Sequence, residues 1–189
     1  MPPTAGSSTA SFLFDLASPE CWLVAERILQ VMPVATEWVP VKVDDPLPAF
    51  RCAEERDIWL VGLARRASDL GLQAPRWPEP LDFDSLFAMR AATFAKGTGR
   101  AVAFSQAAFR QAWCGARPLD DPDNVLIAAA ACELHPKAVL KGAALRSTGE
   151  ALAAASAGVQ RVPAIVTPTG ERFEGEDAPE RAAATLAAA

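Results

Sequence analysis

Three short stretches of this chain hold residues whose types and spacing could do chemistry. The first is Ala17-Ser18-Pro19-Glu20-Cys21-Trp22. A serine followed by proline suits an N-cap and the first residue of a helix. The N–H groups at such a terminus carry partial positive charge and stabilise an anion. The field is too weak to ionise a serine hydroxyl, and no histidine lies nearby in sequence to act as its base. What Ser18 can do is donate a hydrogen bond to an anion brought by a ligand. A charge-assisted bond contributes about 1.5–3 kcal/mol, and the helix terminus about 0.3–1 kcal/mol more. Together they would bring a bound thiol from its free pKa of about 8.5 close to neutrality. The same serine also reads as a plain helix cap.

The second stretch is Val162-Pro163, at the start of a late apolar run. Proline is permitted as the first residue of a strand. A cis bond there would turn the preceding N–H and carbonyl outward, where an extended peptide-like ligand could pair with them. An ordinary trans proline at a strand entry is the alternative. The third stretch is Gly175-Glu176-Asp177, whose carboxylates could bind an amine. Asp177 with Glu180 three residues on also fits a capping box.

Other reactive side chains offer less. Cys21, Cys52, Cys114 and Cys132 show no C-x-x-C or metal-ligand spacing, and they read as free thiols. Cys21 reads as a small core residue, with a redox role through mixed disulfides as the alternative. The single histidine, His135, stands before Pro136 and reads as a loop or cap residue; without a Cys/His cluster no metal site is expected. Trp22, Trp38, Trp59, Trp77 and Trp113 suit packing, while Trp22 and Trp59 could line an aromatic cleft.

The elements that would position these residues follow from the hydrophobic pattern. Residues 1–10 read as a flexible leader without the charge or apolar core of a secretory signal. Alternation over Ser11–Leu16 predicts a strand, Cys21–Val31 a helix capped by Ser18, and Ala35–Val41 a second strand. A βαβ unit implies parallel pairing. Helical patterns then run over 53–72, 83–96, 102–113, 123–134 and 137–157, with breaks at Gly71, the Pro75–Pro80 loop, Gly97, Gly99, Gly115–Pro122 and Pro136. Pro163–Thr167 and Glu171–Glu174 read as a hairpin turning at Pro168-Thr169-Gly170, and Asp177–Leu186 as a closing helix. The expected fold is α/β, a single domain over 11–189: βαβ, an all-helical insertion at about 52–157, then ββα.

Composition narrows the classes. The 189 residues are 51% hydrophobic and 22% charged, as in ordinary globular proteins. A formal charge of −5 with no clustered Lys and Arg argues against nucleic acid as a partner. No apolar run is long enough to span a bilayer, so no membrane partner and a cytoplasmic location are expected.

Taken together, the three stretches resemble those of the 2-hydroxychromene-2-carboxylate isomerases and the kappa-class glutathione transferases, branches of the DsbA-like thioredoxin superfamily. The likeness runs from Phe12 to Leu186 and includes FLFDLASPECWLVAER, RRASDLGL at 65–72, LFAMRAATFAKGTGR at 86–100 and GVQRVPAIVTPTGERFEGED at 158–177. It implies a thioredoxin fold with a DsbA-like helical insertion, glutathione as cofactor, a small unsaturated or aromatic substrate, and a homodimer. It implies that Ser18 meets the glutathione sulfur, that Val162 before a cis Pro163 pairs with the cysteinyl unit, and that Asp177 meets the γ-glutamyl amine, with Glu176 at the position that holds the glutamyl carboxylate. The activity implied is a glutathione-dependent isomerase working by reversible thiolate addition. The alternatives are a kappa-like transferase, or a non-catalytic or one-cysteine DsbA-like protein. The chain departs from the family pattern at Glu20, Cys21, Glu176 and Ala178, where Tyr, Ser, a small polar residue and Arg are usual.

Overall fold

The computed structural model describes residues 9–188, so most of the expected leader lies outside the described residues. Ala10, placed in that leader by the pattern, already belongs to the first strand.

The strands are β1 (Ala10–Phe14), β2 (Thr36–Pro40), β3 (Ala164–Val166) and β4 (Arg172–Glu174). They form one sheet in the order β2-β1-β3-β4. β2 runs parallel to β1, as a βαβ crossover requires. β3 is antiparallel to β1, with Leu13 opposite Ala164, and β4 is antiparallel to β3. The C-terminal end of β1 and the N-terminal end of β3 therefore lie at the same edge. This register brings the Ser18 turn and Pro163 to one end of the sheet.

Alternation along β1 divides the core. Phe12 and Phe14 stack at 5.4 Å between ring centroids, and both meet Trp38 of β2 edge-on. Leu13 points the other way, into a smaller cluster with Val41, Val43 and Ala164.

Helices α1 (Pro19–Ala25) and α2 (Ile28–Val31) replace the one helix expected over 21–31. The break falls at Arg27, whose guanidinium is drawn to the Glu176 carbonyl and the Glu180 carboxylate instead of solvent. The insertion holds α3 (Ala53–Asp69), α4 (Leu86–Gly97), α5 (Ala101–Trp113), α6 (Pro122–Ala131), α7 (Pro136–Ala144) and α8 (Arg146–Ser156). The helix expected over 137–157 is thus two. Leu145 is extended between them, and side chains brace the break: Arg90 donates to the Ala143 and Leu145 carbonyls and Thr148 to that of Gly142. His135 caps α7 by accepting the Lys137 N–H, as its place before Pro136 suggests. The chain closes with α9 (Ala178–Ala187). The capping box expected at its start does not form: Asp177 pairs with Arg181 and Glu180 with Arg27.

The turn between β1 and α1 is held from several sides at once. Asp15, fully buried, accepts from Ala17 N at 3.0 Å, Ser85 Oγ at 2.6 Å and Val43 N at 3.1 Å, with Lys42 Nζ 3.8 Å away. Leu16 donates its N–H to Met89 Sδ and accepts from Trp113 Nε1. Ser85 and Met89 belong to the start of α4 and Trp113 to the end of α5, so the insertion fixes the turn that carries Ser18. Burial pushes the Asp15 carboxyl above its ordinary pKa, against the pull of Lys42 and the three donors. Replacing Asp15 by Ala would leave those donors buried without an acceptor. Urea denaturation should show a loss of about 3–5 kcal/mol for Asp15→Ala, against about 1–2 kcal/mol for Ser85→Ala, which removes one of the bonds.

Candidate functional site

Ser18 is the N-cap of α1, and its Oγ accepts from Cys21 N at 3.3 Å. Pro19 follows at the first helical position, so the local sequence caps the helix as its residue types direct. The Ser18 hydroxyl also bonds the Cys21 side chain, which pulls that thiol down against the larger effect of burial. The residue itself is only 1% exposed. Cys21 is completely buried one turn below, and burial drives its thiol far above the ordinary cysteine range. A thiol held protonated in this way is neither nucleophile nor metal ligand. The four cysteines are free.

Val162 precedes Pro163 through a cis bond, and a second cis bond joins Glu79 and Pro80 in the insertion. Pro163 is buried and its carbonyl accepts from Gly175 N at 2.9 Å, which ties the start of β3 to the approach of α9. Val162 is half-buried, and its backbone makes no hydrogen bond to the described residues outside the strand ladder.

A cleft of about 690 Å3 opens where α1, α3 and the start of α9 meet. Glu176 and Asp177 line it, as do Glu20, Arg27, Trp59 and Arg66. Ser18, Val162 and Pro163 are not on its lining; Glu20 is the part of the Ser18 turn that reaches it. Trp22, for which packing was the expectation and a place beside Trp59 the alternative, is fully buried in the core. Arg27, Arg66 and Asp69 are cleft residues that the sequence reading did not single out. Glu20 and Arg27 are seven residues apart in a stretch whose pattern predicts one helix, which would put them on one face; Arg27 instead sits at the break between α1 and α2 and still reaches the cleft.

The cleft is electrostatically organised. Arg66 Nε donates to Glu176 Oε2 at 2.7 Å, joining α3 to the start of α9 across the opening. Arg27 meets the Glu176 carbonyl and the Glu180 carboxylate. Burial lowers the Arg27 pKa, and the charges of Glu176 and Asp177 oppose that. Glu20 and Asp69 stand in no ion pair among the described residues. Burial raises the Glu20 carboxyl above its usual range, and the neighbouring Glu176 charge adds to the effect, while Arg66 and Arg161 pull it down. No group of His, Cys, Asp and Glu suited to a metal ion occurs among the described residues, and no described helix is long and apolar enough to cross a membrane.

No family model matches the chain, and no curated protein matches it in sequence. Solved structures match its fold. A 2-hydroxychromene-2-carboxylate isomerase superposes with a TM-score of 0.79 at 16% identity, over 95% of this chain and 95% of its own. A protein described as a DsbA oxidoreductase from Streptomyces coelicolor gives 0.75 at 19% identity, over 95% and 88%. A protein described as a disulfide isomerase from Nitrosomonas europaea gives 0.70 at 15%, over 95% and 97%. At these identities the likeness establishes the fold, with the helical insertion in place.

A carboxyl whose pKa is raised on folding binds its proton more tightly in the folded state. Stability is then complete below the unfolded pKa and falls as pH rises through the folded one. Glu20→Gln removes that loss. Its melting temperature should exceed that of the wild type by about 1–3 °C at pH 7, and thermal unfolding across pH 3–8 should show the gap closing as pH falls below about 4.3.

Proposed function

We propose that this chain, a DsbA-like thioredoxin fold with serine at the N-cap of its first helix, is a glutathione-dependent isomerase acting on a small unsaturated or aromatic compound. The observation that carries the reading is the convergence of three features on one end of the sheet. These are the Ser18 hydroxyl at the N-cap of α1, the unpaired backbone of Val162 beside Pro163, and the Glu176–Asp177 pair at the start of α9. Glutathione supplies the thiol that adds to the substrate and is returned unchanged. The chain's own contributions are to orient and to hold charge. Ser18 donates to the sulfur anion within the positive field of the α1 terminus. Val162 offers an N–H and a carbonyl to the cysteinyl unit, and Asp177 faces the γ-glutamyl amine. Trp59 and Leu70, on the α3 wall of the cleft, give an apolar seat to the second substrate. Chemistry by a dithiol pair is unsupported, because Ser18 and the buried Cys21 occupy the two positions.

One observation favours a second reading. Ser18 lies under cover and Glu20 takes the cleft surface of its turn, so the cavity can bind a ligand without engaging the serine. That describes a non-catalytic binding protein of the same fold. A homodimer, the assembly that the family resemblance implies, is compatible with both.

Calorimetric titration separates the readings. Glutathione and S-hexylglutathione should both bind. Ser18→Ala should raise the pKa of the bound glutathione thiol, read by ultraviolet absorbance of the thiolate, while leaving S-hexylglutathione affinity within about twofold. Equal losses for the two ligands would make the serine structural, and no binding at millimolar concentration would leave the second reading.

Glu176 generates a further expectation. It now occupies Arg66, which could otherwise meet a ligand carboxylate, and it repels that carboxylate itself. Glu176→Ser should tighten glutathione binding severalfold, consistent with a partly exposed pair worth about 0.2–1 kcal/mol, and high salt should narrow the difference.

A further inference from the structure

The cleft carries more negative charge than its own cations answer. Its lining holds five carboxylates and two guanidiniums. Both guanidiniums are taken, Arg66 by Glu176 and Arg27 by Glu180. Asp177 is held from off the lining by Arg181. Glu20 and Asp69 are then the lining carboxylates in no ion pair among the described residues. They stand on different walls, Glu20 in the first turn of α1 and Asp69 at the last residue of α3.

Glu20 is half-buried, and at its carboxyl the effects of burial and of the Glu176 charge outweigh the pull of Arg66 and Arg161. A carboxylate withdrawn from water and short of counter-charge is stabilised by a cation that a ligand brings. An anionic ligand meets the reverse. It would lose water among five carboxylates and compete with Glu176 and Glu180 for the two arginines.

The same cavity has an apolar side. Trp59 is half-buried on the α3 wall, its ring 5.3 Å from that of Phe50 between centroids. Leu70, 42% exposed, follows at the end of the helix. Trp59 and Arg66 are seven residues apart, two turns of one helix, which separates the aromatic wall from the charges around Arg66 by about 10 Å along α3. A bicyclic arene bearing an aminomethyl group has that reach, and an indole face attracts the cationic end as well as the ring. The cavity of about 690 Å3 is ample for such a molecule.

We infer that the second substrate of this cleft is an arylalkylamine, its ammonium held by Glu20 within the field of Asp69 and its ring laid against Trp59. The role of second substrate rests on the function proposed above, whereas the ligand class follows from the cleft's own charges.

Calorimetric titration of the full chain without glutathione tests it, with 2-naphthylmethylamine and 2-naphthoate as probes of one ring system and opposite charge. The amine should bind about tenfold or more tightly than the acid at low salt, and high salt should narrow the gap. Propylamine, which has the charge without the ring, should bind about tenfold more weakly than the arylmethylamine. Glu20→Gln should weaken the amine about fivefold or more, and Asp69→Asn, at an exposed position, about twofold. The expected rise in melting temperature of Glu20→Gln shows that any loss of binding is not a loss of fold. An acid that binds as well as the amine, a propylamine as tight as the arylmethylamine, or an amine affinity indifferent to Glu20→Gln would each overturn the inference. A larger loss with Asp177→Asn than with Glu20→Gln would put the amine where the γ-glutamyl amine is expected, and would overturn it too. Failure of glutathione to bind is read in a separate titration and counts against the isomerase reading alone.

Discussion

The Asp15 carboxylate is the joint at which strand layer, site turn and helical insertion meet. Its two oxygens take one donor from the turn itself (Ala17), one from the chain just after β2 (Val43) and one from the residue that starts α4 (Ser85). A buried acid with those partners has little freedom to move, and neither have the segments that supply them. Leu16, next in sequence, is fixed by Met89 and Trp113. The conformation of Ser18 therefore depends on residues of α4 and α5 far along the chain, and the insertion acts as scaffold to the turn as well as wall to the cleft.

The cleft has the opposite character. Its charges are paired across a gap between elements, Arg66 to Glu176 and Arg27 to Glu180, and these pairs are partly exposed to solvent. Contacts of this kind exchange partners at small energetic cost. An exact, buried network under the turn and an adaptable, wet one at the cavity divide the labour of holding a geometry and admitting a ligand.

Much of the architecture was legible because it rests on local chemistry. Ser18-Pro19 announces a helix entry, the alternation of Phe12, Phe14 and Leu16 announces β1, and Pro168-Thr169-Gly170 announces the hairpin. The breaks at Arg27 and Leu145 were not legible, since the groups that stabilise them come from the start of α9 and from α4. Asp177 and Glu180 have the spacing of a capping box, yet each is claimed by an arginine that local pattern cannot see. Ser18, Pro163 and Asp177 could be singled out as candidates from sequence because each sits at the end of an element, and of the three only Asp177 lines the cleft. Arg66 and Asp69 are ordinary charged residues of a long helix, and only the placing of α3 against α1 and α9 gives them a role. Asp15 carried a weak signal, an acid inside the run Phe12–Ala17, where burial demands partners.

The cleft draws its lining from residues 20–27, 59–70 and 176–180, three segments that are far apart along the chain. An unfolded chain presents no such surface, so whatever occupies the cavity binds the native state alone. Its binding free energy then adds to the free energy of unfolding, by an amount that grows with the logarithm of free ligand concentration. Occupancy of this cleft is therefore written into the melting temperature, and a library of thiols, amines and aromatic acids can be ranked against it before any reaction is known.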